Sequence, residues 1–226
     1  MEGKQLIKVD EEKDLGVMVS KTLKPGAQVA KAVKKGNQVL GQLIRAFTYR
    51  DRIHFIQLYK VYVRCHLEYA VQCWNPHLEQ DIQAIEDVQR RAIRQVSGLR
   101  GTYEEKLDQL GLTTLKDRRT RGDLIETYKI VQQIDDIPIG TFFQMAGANH
   151  GHATRVAVTV TGDDLTTPED LTVTDNHNFA VPRAHNDFRK YTFSHRVVTP
   201  WNNLPSEIKN ASSVNNFKNL YDHHME

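Results

Sequence analysis

Apolar residues recur at i, i+3 and i+4 spacing through the stretch from Lys24 to Phe47. Val29, Val33, Gly36, Leu40, Leu43, Ile44 and Phe47 form one stripe, and Lys24, Lys31, Lys34, Lys35, Gln38, Gln42 and Arg45 fall opposite it. The period predicts an amphipathic helix, with Pro25 in a first turn that does not need its missing N–H. From Ile53 to Ala70 the pattern changes: apolar side chains go all the way round, broken near the end by Arg64, His66 and Glu68. That predicts a helix buried on most sides. Trp74-Asn75-Pro76 interrupts it, because Pro76 cannot continue a helix. Ile82, Ile85, Val88, Ala92, Ile93 and Val96 make the core stripe of a further helix over Asp81–Val96, closed by Ser97-Gly98. A short helix over Tyr103–Leu110 ends at Gly111, and Thr113 or Thr114 caps a longer one over Leu115–Gln133. Ahead of all these, Leu15, Val17 and Val19 alternate with Gly16 and Met18 in a short strand ending at Ser20. A lone strand opening a helical chain needs a sheet to join.

Beyond Asp135-Asp136 the composition shifts. Residues 146–186 are rich in Gly, Thr, Asp, Asn and His, with β-branched alternation in the run VAVTV at 156–160. They read as loops with one or two short strands, partly disordered in composition. Aromatic residues return from Phe188 to Leu220. Trp201 is followed by Leu204-Pro205 and a short helix with Ile208, and Ser212 or Ser213 caps a last helix holding Phe217 and Leu220. This part is expected to clasp the helical part, with Trp201 and Phe193 as core rather than base-stacking platforms. The class is therefore mainly α, a bundle of about five helices within 1–135. A short N-terminal strand precedes the bundle, and a loop-rich C-terminal part with one or two short strands and a terminal helix follows. The segments read as 1–20 for the strand region, 21–135 for the helical domain, 136–186 for the linker and 187–226 for the clasp.

Charge sharpens this picture. The net charge of +2 conceals an asymmetry: residues 1–130 carry 23 Lys or Arg against 17 Asp or Glu, and residues 131–226 carry 7 against 11. From Leu15 to Arg50 there are seven Lys or Arg and no Asp or Glu. The basic face of the first helix must therefore meet solvent, an acidic surface elsewhere on the chain, or phosphates. Soluble helical faces are usually laced with mixed-sign i, i+4 pairs, and their absence favours phosphate. In the Asp81–Val96 helix, Glu86–Arg90 and Asp87–Arg91 have the spacing of ion pairs, which leaves Arg94 as the cation without one. Lys116, Arg118, Arg119 and Arg121 crowd a helix N-terminus, where they oppose the macrodipole. A phosphate or a carboxylate from another helix must favour them there.

Other candidate chemistry is sparse. Two cysteines, Cys65 and Cys73, are too few for a disulfide framework and fit a reduced, intracellular setting. No apolar run approaches the ~18–20 residues that span a bilayer, so no membrane association is expected. His66 reads as a hydrogen-bonded histidine near a helix C-terminus. Asp135-Asp136 and Asp163-Asp164 each lack a third acid placed to complete a metal site, and His150, His152, His177 and His185 lack regular ligand spacing. With no nucleophile–base pair, glycine-rich phosphate loop or metal cluster, a self-sufficient enzyme is not expected, nor a cofactor or small-molecule substrate.

Several short motifs, taken in order, resemble a known family. They are Asp14-Leu15-Gly16-Val17, the KKGNQVLGQLIRAF segment, Leu58-Tyr59 through Leu67-Glu68-Tyr69, Trp74, and the run Ile85-Glu86-Asp87-Val88-Gln89-Arg90-Arg91-Ala92. Asp117-Arg118-Arg119 with Asp123-Leu124, Phe193 to Arg196, Trp201-Asn202, Leu204-Pro205 and Phe217-Lys218 extend the series. Over residues 5–135 and 186–220 the chain resembles the C-terminal part of non-LTR (LINE, jockey-like) retrotransposon reverse transcriptases. The resemblance implies that 1–20 is a remnant of a palm-like strand region and 21–135 a thumb-like domain gripping a template–primer duplex. The family's catalytic carboxylates lie upstream, in a Phe/Tyr-Ala-Asp-Asp motif that this sequence lacks. The chain is then expected to be the grip of an RNA-directed DNA polymerase without its active site, as a fragment, a decayed copy or a separate reading frame. Its partners would be an RNA or DNA template–primer duplex and, for a fragment, an upstream palm. Its place would be cytoplasm or nucleus. The residues expected on backbone phosphates are Lys31, Lys34, Lys35 and Arg45, and secondarily Arg94, Arg118 and Arg119. The alternative is a helical protein-interaction or structural domain, whose basic helix docks on an acidic partner such as the C-terminal half.

Overall fold

The structure, a computed structural model, describes residues 8–146, 178–184 and 186–225. It is mainly α, with a short antiparallel hairpin near the N-terminus. Two units divide the chain: residues 1–124 with 184–193, and residues 125–183 with 194–226. The division falls inside a helix, Leu115–Val131, and not at the expected boundary after residue 135.

The first unit begins with β1 (Glu11–Asp14) and β2 (Val17–Ser20), paired antiparallel from Asp14–Val17 outward to Glu11–Ser20. Leu15 and Gly16 link them at φ +43° and +90°, the positive pair that a tight two-residue hairpin turn demands. The strand expected to need an outside sheet is thus paired with its own predecessor. The Glu11–Asp14 segment has no apolar alternation and is exposed throughout, so its sequence carries no strand signal. The hairpin leans on the first long helix: Val17 is buried, and the Met18 N–H donates to Gln28 Oε1 at 2.8 Å.

That helix, α1 (Gly26–Ala46), buries Val29, Gly36 and Leu40 of the stripe its period predicts, together with Gln28 and Ala32, while Phe47 at the end of the stripe is exposed. At Gly36 a Cβ would stand 3.0 Å from Leu67 and 3.4 Å from Val88, so glycine lets α1 approach two helices at once. The next stretch is α2 (His54–Leu58), a π-helical turn (Tyr59–Val63) and α3 (Arg64–Glu68). The Arg64 N–H reaches the Tyr59 carbonyl five residues back, which defines the wide turn. Phe55, Ile56, Tyr59, Val63 and Leu67 are buried on one side. Ile53, Val61 and Tyr62 are exposed on the other, which overturns the expectation of burial on most sides. The packed neighbours lie on one side only, and no described element covers the rest.

After α4 (Val71–Trp74), α5 (Glu79–Ile93) runs parallel to α1, with Asp81 beside Gly26 and Arg91 beside Asn37. A capping box of Thr102 and Glu105 opens α6 (Tyr103–Gln109), and Thr114 Oγ1 accepts from the Asp117 N–H at the start of α7 (Leu115–Val131). Buried Glu86 of α5 ties these together. One of its oxygens accepts from Tyr103 Oη and, at 3.2 Å, from Gln89 Nε2; the other accepts from the Leu115 N–H at 2.9 Å. Tyr59 Oη donates to Gln89 Oε1 at 2.9 Å. Burial pushes the Tyr59 and Tyr103 phenols well above their ordinary range, so both remain donors. The short α8 (Asp187–Lys190) also belongs to this unit.

The second unit takes the later half of α7, a 3-10 turn (Ile139–Thr141), most of α9 (Phe193–Arg196), then α10 (Val198–Asn202), α11 (Ser206–Lys209) and α12 (Val214–Met225). Its core is a run of stacked rings. Phe143 lies 4.3 Å from Phe179, Phe179 5.8 Å from Trp201, Trp201 6.2 Å from Phe217, and Phe217 4.6 Å from Tyr128. Trp201 is fully buried at the centre, the core role expected of it. Tyr128 Oη donates to the Ala211 carbonyl at 2.6 Å, and the Asn202 amide brackets the Phe179 backbone at 2.8 Å on both sides. Among the described residues an isolated antiparallel bridge joins Met145 to Phe179. The VAVTV run, Asp163-Asp164, His150, His152, His177 and His185 lie outside the described residues.

Candidate nucleic-acid interface

On α1, residues 31, 34, 35, 38, 42 and 45 fall within about 100° of arc at 3.6 residues per turn, on the side away from the core. Lys34, Lys35 and Arg45 are exposed, and none forms a hydrogen bond or ion pair with another described residue. The Arg45 guanidinium folds back along the helix, its Nη1 3.6 Å from where a Cβ on Gly41 would stand. From Lys34 to Arg45 the helix rises about 16 Å. Lys31 differs, because its Nζ donates to the Gly16 carbonyl at 2.5 Å. It is half-buried, and although its position lies mid-arc its ammonium is tied to the hairpin turn.

The parallel packing of α5 beside α1 extends this surface. The Arg91 Nη1 donates to Asn37 Oδ1 at 3.1 Å, which sets its guanidinium one turn beyond Lys34. Arg94 is exposed on the same helix, with no partner among the described residues. The i, i+4 pairs expected on α5 do not form. Glu86 is buried under Tyr103, and Asp87 pairs with Arg90 at 3.2 Å. Arg90 also donates to Gln83 at 2.9 Å and lies over the Tyr103 ring. Arg91 is therefore a member of the basic surface that sequence spacing assigned to Asp87. Its signal is tertiary, an asparagine 54 residues earlier.

The arginines at the start of α7 are placed otherwise. Arg118 forks onto Glu68 of α3, with Nη2 to Oε2 at 3.1 Å and Nε on the other oxygen; Arg64 approaches the same carboxylate at 3.6 Å. Arg119 is 2% exposed, donating from Nε to Asn75 Oδ1 at 3.0 Å, while Asn75 donates to Asp123 at 3.3 Å. Burial lowers the Arg119 pKa, and the fields of Glu86 and Asp123 work against that shift. Both residues are corrected from phosphate contacts to parts of the framework: one is engaged by a carboxylate and the other is out of reach of any ligand. Of the two explanations for cations at this helix N-terminus, the carboxylate from another helix applies to Arg118, while Arg119 is held by an amide and Lys116 stands exposed.

A second feature adjoins the basic face. Phe47, Tyr49, Phe55, Leu58, Val61 and Tyr62 line a groove of about 580 Å³ just past the end of α1. Asp51 and His54 stand at its rim. Asp51 Oδ1 accepts from the Ile53 and His54 N–H groups at 2.9 Å and meets the His54 ring at 3.0 Å. These bonds, the His54 backbone first, hold its carboxyl below the usual range. An all-round apolar sequence predicts all-round burial, so no periodic signal marks the groove.

Asp135 of the paired aspartates lies 3.7 Å from Lys129, and no group of His, Cys, Asp or Glu among the described residues is arranged to hold a metal ion. No helix among the described residues is long and apolar enough to cross a membrane. Compared with protein-family models, with curated proteins and with solved structures, the chain matches none.

Proposed function

We propose that the chain is a helical module that binds nucleic acid through its backbone phosphates, without catalysis of its own. The observation that carries this reading is the outer face of α1 with the adjoining edge of α5. There Lys34, Lys35, Arg45 and Arg94 stand exposed without described counter-ions, and Arg91 is fixed beside them by Asn37. Five cations in one strip leave positive potential uncompensated, and a polyanion with regularly spaced charge is the ligand that relieves it. Such contacts position a strand and do not read its sequence. The likeness to the region following the polymerase palm in non-LTR reverse transcriptases points the same way, with a template–primer duplex as partner. This sequence lacks the family's paired-aspartate motif, so polymerisation is assigned to no residue of it.

The test is fluorescence anisotropy with a labelled RNA–DNA hybrid against the chain and its Arg45→Glu, Arg94→Glu double variant. The reading expects hybrid binding that weakens by about tenfold or more on reversal, two phosphate contacts becoming repulsive. An unchanged affinity, or none in the parent chain, contradicts it.

A further inference from the structure

We propose that the groove beyond α1 takes unpaired bases, so that this surface holds the single strand that runs on from a template–primer duplex more tightly than it holds closed duplex alone. The inference rests on the phosphate-binding reading above and deepens it. Around the groove Phe47, Tyr49 and Tyr62 are 43%, 77% and 53% exposed, three rings whose faces no described residue covers fully. One exposed ring is unremarkable, but three around one concavity form an apolar surface that calls for an occupant. The π-helical turn Tyr59–Val63 underlies it, carrying Val61 and Tyr62 outward while Tyr59 and Val63 stay in the core.

The neighbouring charge selects the occupant. Phe47 follows Arg45 by two residues, so the aromatic groove opens just past the end of α1, a helix that carries lysines and an arginine and no acid. A phosphate chain lying along α1 and α5 is thereby led to the rings. The acid at the rim, Asp51, is engaged in capping α2 and turns its carboxylate toward the Ile53 and His54 N–H groups and the His54 ring. Arg52 adds a cation nearby, donating from Nη2 to the Gly98 carbonyl at 2.8 Å. A duplex keeps its base faces stacked on one another and offers the groove nothing apolar. A single strand offers a π-face at every nucleotide, and basic tracks joined to aromatic platforms are how such strands are held. The volume is within the range of sites that enclose small planar ligands.

The experiment measures anisotropy at one low salt concentration with three labelled probes of equal length, about 15 nucleotides. They are an oligothymidine strand, an abasic strand with the same phosphates, and a blunt duplex. The intact strand is expected to bind about tenfold or more tightly than the abasic one. Tyr49→Ala and Tyr62→Ala should each bring strand affinity toward the abasic value while leaving duplex affinity unchanged, and Tyr49→Phe should retain the parent behaviour. Equal affinity for intact and abasic strands overturns the stacking inference, and persistent duplex binding would leave the phosphate reading standing. No binding to any probe overturns both. A shift from a larger species to monomer in sedimentation, caused by Tyr49→Ala, would instead make the groove a self-association face and overturn the inference.

Discussion

The outer face of α1 and the first turns of α7 carry similar clusters of basic side chains in the same unit, and the fold treats them in opposite ways. On α7, Arg118 is clasped by Glu68 and Arg119 is buried against Asn75. On α1, Lys34, Lys35 and Arg45 point away from the core with no described acid near enough to pair. The difference teaches that local spacing does not decide the fate of a cation. What decides it is whether the chain brings a carboxylate or amide to the same place from a distance of some fifty residues. Arg118 meets Glu68 across 50 positions and Arg119 meets Asn75 across 44. Arg91 also meets an amide, Asn37 across 54 positions, but at the surface, so its guanidinium stays exposed on the basic face while Arg90 takes Asp87.

The sharpest way to stress this contrast is to strip the buried side of its acid. Glu86→Ala leaves Tyr103, Gln89 and the Leu115 N–H without their acceptor, and is expected to cost about 3–5 kcal/mol in denaturant unfolding. Next in size is Arg119→Ala, at about 2–3 kcal/mol from a lost charged hydrogen bond and lost packing. If Arg119 is framework, hybrid affinity of the folded variant stays at the parent value; a large loss of affinity at full stability would place it at the interface after all. Reversing the exposed side, Lys34→Glu with Lys35→Glu, should behave in the opposite manner. Stability is expected to move by no more than about 0.5 kcal/mol, whereas destabilisation of several times that would mean the face docks on the chain's own acids.

The smallest effect concerns the entry to α2. The folded pKa of Asp51 lies below its unfolded value, so its capping contribution is complete above about pH 4 and fades as pH falls through the folded value. Amide protection at Ile53 and His54, the exchange rate taken relative to the unfolded chain at the same pH, should therefore fall on acidification in the parent, and Asp51→Asn should remove that loss. A parent profile flat through this range would show that the cap does not hold the helix entry.

Much of the fold was legible from periodicity. α1 buries Val29, Gly36 and Leu40 of the stripe its spacing prescribes and leaves Phe47 exposed past its end, and Trp201 sits in the core that an aromatic-rich tail suggested. The hairpin was half legible, since Val17 and Val19 alternate while Glu11–Asp14 carries no pattern at all. The one-sided burial of the α2–α3 stretch was not legible, because hydrophobicity records what a side chain tolerates and not which neighbours arrive to cover it. The candidate site divides along the same line. Lys34, Lys35, Arg45 and Arg94 stand exposed, as a sequence without nearby acids suggests, whereas the withdrawal of Arg118 and Arg119 and the recruitment of Arg91 depend on contacts between distant segments.

The central claim, that a strip of unpaired cations engages phosphates, is tested most directly by the salt dependence of binding. With Lys34, Lys35, Arg45, Arg91 and Arg94 each releasing a counter-ion from duplex, log K against log salt should fall with a slope of about −4 to −5. Lys34→Glu with Lys35→Glu should flatten that slope by about two. Binding that persists unchanged from low to high salt, or a slope indifferent to those substitutions, would contradict the account.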